Sequence, residues 1–292
     1  MTRRNMDIVL GATGQVGSGV AKGLLKKGRE VRAVVRNGAK ARELEKMGAE
    51  IAVADYLDRE ALERAFHGGG TAFLLTPEDP WSEHHIDDVR VMLGNYRESV
   101  QASGVNKIVG LSTMGAQLGP GSGDLYASYL LERAFWGLDV EQVFVRPTYY
   151  YSNWTGYLDL VKAQGILPTL FPPEMKLSMV SPLDISAYLA EAMVRDAPQE
   201  RVAEVLGPRE YSSLGIVKTF EDVLGRDVAL QPIPPNEWGR MLTRAGFTAD
   251  GIEDLTLMTK AVIDGRTKGE RPDPVHLPTD FRTYLVNRLR TA

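Results

Sequence analysis

Apolar positions recur along the chain with two different periods. Ile8-Val9-Leu10 is a short continuous apolar run, and Val16, Val20 and Leu24 follow at i, i+4 and i+8. The run predicts a buried strand and the spacing predicts one face of a helix. The alternation then repeats. Glu30 to Val35 predicts a second strand, turned by Arg36-Asn37-Gly38, and Ala41, Leu44 and Met47 pattern a short helix. Glu50 to Ala54 predicts a third strand, and Asp58 caps a helix with Leu62, Ala65 and Phe66 inward. Gly68-Gly69-Gly70 ends that helix, and Thr71 to Thr76 predicts a fourth strand. Val89, Met92, Leu93, Tyr96 and Val100 form a stripe at helical period. Lys107 to Leu111 predicts a fifth strand, Gly115 to Gly123 a loop, Ala127 to Phe135 a helix and Gln142 to Val145 a sixth strand.

Strand and helix in strict alternation argue a parallel sheet with helices on both faces. A closed eight-fold barrel needs more repeats before the pattern changes. Here it changes after Pro147: Tyr149-Tyr150-Tyr151 and Trp154 lead into a loop holding Pro168, Pro172 and Pro173. Asp184 to Arg195 predicts a helix, Val202 to Leu206 a strand returning to the sheet, Ser213 to Leu224 a helix and Val228 to Ile233 a strand, with the remainder mostly helical. The expected class is α/β, a Rossmann-type doubly wound parallel sheet with a smaller, interleaved α+β C-terminal lobe. Residues 1–150 form the nucleotide-binding unit, with 180–206 returning to it, and residues 151–179 and 207–292 form a lobe for a substrate or partner.

Composition narrows this only by exclusion. Among 292 residues, 43% are hydrophobic and 25% charged, ordinary for a globular protein. A net charge of -4 without a Lys/Arg block argues against nucleic acid. No apolar run reaches a membrane span or a leader, so a cytoplasmic location is expected. With no cysteine, thiolate chemistry and disulfides are excluded. The four histidines are His67, His84, His85 and His276, and the adjacent pair diverges on a helix. All four read as solvated surface residues, and no metal is expected.

The chemistry concentrates at Gly11-Ala12-Thr13-Gly14-Gln15-Val16-Gly17. Strand, glycine turn and helix set backbone N–H groups and a positive helix end against a pyrophosphate. One glycine makes the turn, one admits the ligand and one lets helix and strand pack closely. A P-loop fails because Gly14 leads to Gly19-Val20, with no lysine. An acidic residue at the second strand's end would signal NAD. Val35-Arg36 stands there, with Arg32 before it and Lys40 after. The forked donors of Arg36 suit a 2′-phosphate, which favours NADP(H) over the alternative of a surface arginine. Asp55 either accepts from an adenine amino group or caps its own turn.

The chain resembles the NmrA-like family of atypical short-chain dehydrogenase/reductases over nearly its whole length. The resemblance rests on the glycine motif, Val35-Arg36-Asn37, Ala54-Asp55-Tyr56, Phe73-Leu74-Leu75-Thr76-Pro77, Arg146-Pro147-Thr148-Tyr149-Tyr150, Ser181-Pro182-Leu183-Asp184-Ile185 and Gly225-Arg226-Asp227-Val228. It implies an NAD(P)-binding domain with a small lobe over the nicotinamide end. It would put Gly11, Thr13, Gly14, Gln15, Val16 and Gly17 on the pyrophosphate, Arg36 and Lys40 on the 2′-phosphate, and Asp55 and Tyr56 near adenine. Thr76 and Pro77 would line the ribose path, Ser112, Thr113 and Met114 the nicotinamide side, and Pro147, Thr148 and Tyr149 would close that pocket.

One departure divides the functional reading. Short-chain dehydrogenases use a tyrosine with a lysine four residues on, which lowers the tyrosine pKa for proton exchange. The stretch Gly123 to Gly137 has Tyr126 and Tyr129 but no lysine. With Glu132 as the family's helix glutamate, the lysine slot falls on Ser128 and the tyrosine slot on Asp124, and neither is expected to do that work. Tyr126, Tyr129 and Tyr149 are the catalytic candidates, and Tyr126, Tyr150, Asn153 and Trp154 the substrate-binding ones, with Phe171 and Met175 completing an apolar wall. Two functions follow. One is hydride transfer from NADPH to a quinone-like, easily reduced small acceptor, which solvent can protonate. The other is a non-catalytic NADP(H) sensor that binds a regulatory protein partner.

Overall fold

A computed structural model describes residues 6–196 and 200–291. The strands are β1 (Met6–Val9), β2 (Val31–Val35), β3 (Glu50–Val53), β4 (Gly69–Leu75), β5 (Lys107–Leu111), β6 (Glu141–Pro147), β7 (Tyr149–Tyr150), β8 (Ile166–Thr169), β9 (Leu177–Val180), β10 (Val202–Leu206), β11 (Glu210–Tyr211), β12 (Ala229–Pro232) and β13 (Val275–His276). The helices are α1 (Gln15–Lys26), α2 (Arg42–Lys46), α3 (Arg59–Phe66), α4 (His85–Ser103), α5 (Leu125–Arg133), α6 (Tyr151–Thr155), α7 (Leu158–Gln164), α8 (Pro182–Val194), α9 (Ser213–Leu224), α10 (Pro235–Arg244), α11 (Ala249–Ile263) and α12 (Phe281–Thr291).

Eight strands form one sheet in the order β13-β10-β6-β5-β4-β1-β2-β3, and all its pairings are parallel. The order reverses between β1 and β4, and ligands of such sheets bind at the carboxyl ends beside that switch point. The apolar strands are covered on both sides, as a parallel sheet requires. One face buries Val16, Val20 and Leu24 of α1 against Ile185, Leu189 and Met193 of α8. The other buries Leu62 and Phe66 of α3, Val89 and Tyr96 of α4 and Leu131 of α5. A third core, around Tyr151, Trp154, Phe220 and Phe281, belongs to the lobe over the carboxyl ends.

Helices α1 and α8 approach closely because small residues meet. A Cβ on Gly19 would lie 2.5 Å from Ser186 Cβ, and one on Gly23 would lie 3.1 Å from Ala190 Cβ. The Ser186 hydroxyl also donates to the Val16 carbonyl at 3.1 Å. Asp58 accepts from the Ala61 amide at 3.0 Å, the cap expected of it.

Four expectations are corrected. Gly69 and Gly70 belong to β4 rather than to a turn. Pro168 lies in a strand, β8, paired with β12 in a separate two-stranded sheet where a missing N–H is tolerated. The C-terminal region, read as mostly helical, also supplies β13 to the edge of the main sheet. Finally, His85 is buried at 6% exposure, whereas His67, His84 and His276 are exposed.

Candidate functional site

The glycine turn joins β1 to α1. Gly11 has φ +60, a region open mainly to glycine. A Cβ on Gly17 would stand 2.3 Å from the Gly11 carbonyl oxygen, so the first turn of α1 lies against the strand end. A Cβ on Gly14 would meet only the Gly11 oxygen, at 3.2 Å, and otherwise faces open space. No side chain caps α1 and its first turn has no acidic residue. Thr13, Gly14 and Gln15 are exposed, while the Val16 side chain is in the core and offers only its amide. Free N–H groups, a positive helix end and a cradle without side chains are what a pyrophosphate needs.

Past β2, Arg36 and Lys40 are exposed beside this cradle. Arg32 is not available there. It spans to Glu50 at 2.7 Å and donates to the carbonyls of Ala65 and His67. Asp55 accepts from the Leu57 amide at 2.9 Å, so its carboxylate caps its own turn. Tyr56 lies under the loop. Its hydroxyl meets the Gly11 backbone, its ring meets Tyr96 edge-on at 5.8 Å, and burial raises its pKa. It supports the turn from below rather than offering an open face to a base.

At the β5 and β6 ends, Ser112 donates to Glu132 at 2.6 Å. Glu132 also takes two donors from Arg146, each at 2.8 Å. Arg146 reaches Glu270 at 3.2 Å and lies 3.8 Å from Glu204. This network fixes α5, β6 and the 268–271 segment together, and nothing in the sequence pattern announced it. Thr113 and Met114 are half-buried above it and Thr76 and Pro77 line the neighbouring strand end. Pro147 is buried. Thr148 and Tyr150 each place a buried hydroxyl oxygen where no partner meets it. Such atoms are rare unless a ligand or water satisfies them.

Tyr149 is wedged between Phe171 and Trp154, with ring centroids at 5.4 and 6.1 Å. Asn153 is its side-chain hydrogen-bond partner, and burial holds the phenol well above its ordinary pKa. Trp154 itself is a core residue, 2% exposed, with its N–H on Met179 Sδ at 3.2 Å. It backs the wall instead of facing the cleft.

The catalytic candidates on α5 are not at this wall. The Tyr126 ring lies 5.6 Å from that of Tyr129 and under Arg90. The Arg133 guanidinium stacks on Tyr129 at 3.5 Å. Both tyrosines therefore turn toward arginines of the α4–α5 side. The residues that do converge were missed. Glu78, after β4, is exposed at its surface, and desolvation raises its pKa. It interacts electrostatically with Tyr149, Tyr150 and Asp124. Asp124, just before α5, is raised to about 7 by burial first, then by Glu78 and Asp254. His85 lies close enough to offset Glu78 and Asp254. No local pattern links these positions, because α11 brings Asp254 from the far end of the chain.

The NAD(P)H-binding family matches residues 11–137. Across the longer span, the chain is 26% identical to the NAD(P)H azoreductase of Xenophilus azovorans over 261 residues, 86% of each chain. It is 41% identical to an NmrA-like family domain-containing oxidoreductase of Aspergillus campestris over 81 residues, 26% of this chain and 24% of that one. Residues 11–137 thus match an NAD(P)H-binding model, and the chain is similar to oxidoreductases that include NmrA-like ones. Its fold is also that of the NADPH-dependent quinone oxidoreductase of Escherichia coli solved with NADPH, with a TM-score of 0.76, 22% identity and coverage of 98% of this chain and 99% of that one. The chain is thus similar in sequence to an azoreductase and shares its fold with a quinone oxidoreductase. Among its described residues no helix is long and apolar enough to cross a membrane.

Proposed function

We propose that the chain is an NADPH-dependent reductase of small, flat, conjugated acceptors such as quinones or azo compounds. The observation that carries the reading is the pair of unsatisfied buried hydroxyls, Thr148 and Tyr150, just past the carboxyl end of β6, on the same sheet edge that carries the glycine turn at the end of β1. The cofactor, when bound, supplies the hydride. Thr13, Gln15, Val16 and Gly17 hold its pyrophosphate through backbone N–H groups. Gly11 and Gly14 make the turn and leave its face open, the Gly14 N–H being spent on the Gly11 carbonyl at 2.8 Å. Arg36 and Lys40 meet the 2′-phosphate. Thr76, Pro77, Ser112, Thr113, Met114, Pro147 and Thr148 flank the ribose and nicotinamide. Tyr149 and Tyr150, with Asn153 at the rim, orient the acceptor. Residues 151–179 and 207–292 act as the substrate lobe, and residues 1–150 with 180–206 as the cofactor domain.

Orientation against a fixed cofactor is the main catalytic contribution available to such a wall. The test is NADPH oxidation with a panel of quinones and azo dyes, beside a direct NADPH binding measurement. NADPH binding with no acceptor-dependent turnover across the panel overturns the reductase reading and leaves the sensor. Tighter NADH than NADPH binding overturns the cofactor preference.

A further inference from the structure

One row of side chains crosses three neighbouring strand ends. Arg146 on β6 is the registered neighbour of Glu204 on β10. Ser112 continues β5 beyond Leu111, which is paired with Val145. Glu132 of α5 joins this row. One of its oxygens accepts from Ser112 at 2.6 Å and from Arg146 Nε at 2.8 Å, and the other accepts from Arg146 Nη2 at 2.8 Å. Glu132 and Glu204 are each 2% exposed and Arg146 6%. Glu204 also accepts from the backbone amides of Glu270 and Arg271, at 2.9 and 3.1 Å. An apolar set of equal volume commonly holds such a core as firmly as buried charges do. What the charges add is geometry, because a bidentate guanidinium–carboxylate pair fixes distance and orientation together.

The next positions along the same strands carry an open hydroxyl. Pro147 accepts the Met114 N–H at 3.0 Å, and the Thr148 N–H donates to the Val205 carbonyl at 3.1 Å. Thr148 is thus held by neighbours of Ser112, Arg146 and Glu204 in their own strands. Its hydroxyl oxygen is buried without a partner, and such an atom is rare unless a ligand or water satisfies it. Ser112 differs. Its one hydroxyl proton is spent on Glu132, so it has none left to donate to a ligand.

We propose that Glu132 is a positioning residue for the nicotinamide half of the cofactor. Through Ser112 and Arg146 it sets the place of the Thr148 hydroxyl, and that hydroxyl hydrogen-bonds the nicotinamide half. The inference rests on the cofactor placement above. Glu132 is buried and acts only through these two side chains. No proton or electron passes through it.

The experiment separates the two halves of the cofactor. Glu132→Gln, Ser112→Ala and Thr148→Val are each titrated with NADPH and with adenosine 2′,5′-bisphosphate, which lacks the nicotinamide. The fluorescence of bound NADPH reports how firmly the dihydronicotinamide is held, and urea unfolding without cofactor reports the fold. Each variant should bind NADPH about 10-fold more weakly, the scale of one lost hydrogen bond. Each should also show less fluorescence enhancement, yet bind the bisphosphate as the wild type does. Ser112→Ala leaves the Glu132–Arg146 pair in place, so it carries the test even where Glu132→Gln does not fold. In the Thr148→Val background, Ser112→Ala should weaken NADPH no further, since both act through one hydroxyl. Equal weakening of both probes, wild-type NADPH affinity in Ser112→Ala, or additive losses in the double variant overturns this role alone. A wild type that binds neither probe overturns the cofactor placement and this role with it.

Discussion

The second and third glycines of the turn separate packing from ligand contact, and substituting each tests the cofactor placement. Gly17→Ala puts a carbon 2.3 Å from the Gly11 oxygen, 2.8 Å from its carbonyl carbon and 2.9 Å from the Leu10 oxygen. All three are backbone atoms, so no side chain can swing away. Relief requires α1 to move about 0.7 Å from the strand end, an overpacking that costs about 1–3 kcal/mol. A displacement of that size at the N–H groups should weaken NADPH about 10- to 100-fold. Gly14→Ala differs. Its φ is -82, and its only neighbour is the Gly11 oxygen at 3.2 Å. Stability should therefore change by less than about 0.5 kcal/mol. The added methyl instead occupies the pyrophosphate space, and losing one charge-assisted contact costs about 1.5–3 kcal/mol, roughly 10- to 100-fold in Kd. Urea unfolding and calorimetric NADPH titration of both variants give the comparison. Wild-type NADPH affinity in Gly14→Ala would refute the placement, whatever Gly17→Ala does.

Arg36→Ala should reduce the preference for NADPH over NADH by about 1–3 kcal/mol in paired calorimetric titrations, with NADH binding unchanged. Arg146→Leu leaves Glu132 and Glu204 buried without their cation, and should cost about 3–5 kcal/mol in urea unfolding. Gly19→Ala should destabilise by about 1–3 kcal/mol, and adding Ser186→Gly should restore most of the loss, since the two positions collide at 2.5 Å. Asp124 keeps its proton to about pH 7 in the folded chain but only to about pH 4 when unfolded. Its contribution to stability is therefore complete below about pH 4 and lost as pH rises to about 7. Between pH 5 and pH 8 the wild type should lose more stability than Asp124→Asn, on the order of 1–2 kcal/mol after allowance for water access.

The sheet was legible because its strands are local, apolar and separated by helices with clear stripes, so each element announces itself. The glycine cradle was legible for the same reason: strand, turn and helix are contiguous. Position in three dimensions was less so. Tyr126 and Tyr129 lie on a helix whose inward face the sequence leaves ambiguous, and Arg90 and Arg133 settle it from outside any local window. His85 reads as a surface residue, yet it is buried at the start of α4. Asp124 reads as a lost catalytic slot, and the charges that join burial in raising its pKa, Glu78 and Asp254, come from the β4 end and from α11. Strands of two residues such as β11 and β13 carry no period at all, and their pairing partners decide them.

The small-residue contact between α1 and α8 bears on how the molecule is made. The apolar face of α1 is finished by residues synthesised some 170 positions later, as the Ser186 to Val16 hydrogen bond records. A nascent chain emerging only to Pro147 would hold the complete glycine motif, yet expose Val16, Val20 and Leu24 and leave β6 with an unpaired edge. The nucleotide-binding half is thus contiguous in sequence but does not close as a unit. Its maturation awaits α8 and β10, and truncation between the two halves is expected to give an aggregating fragment rather than a minimal cofactor-binding domain.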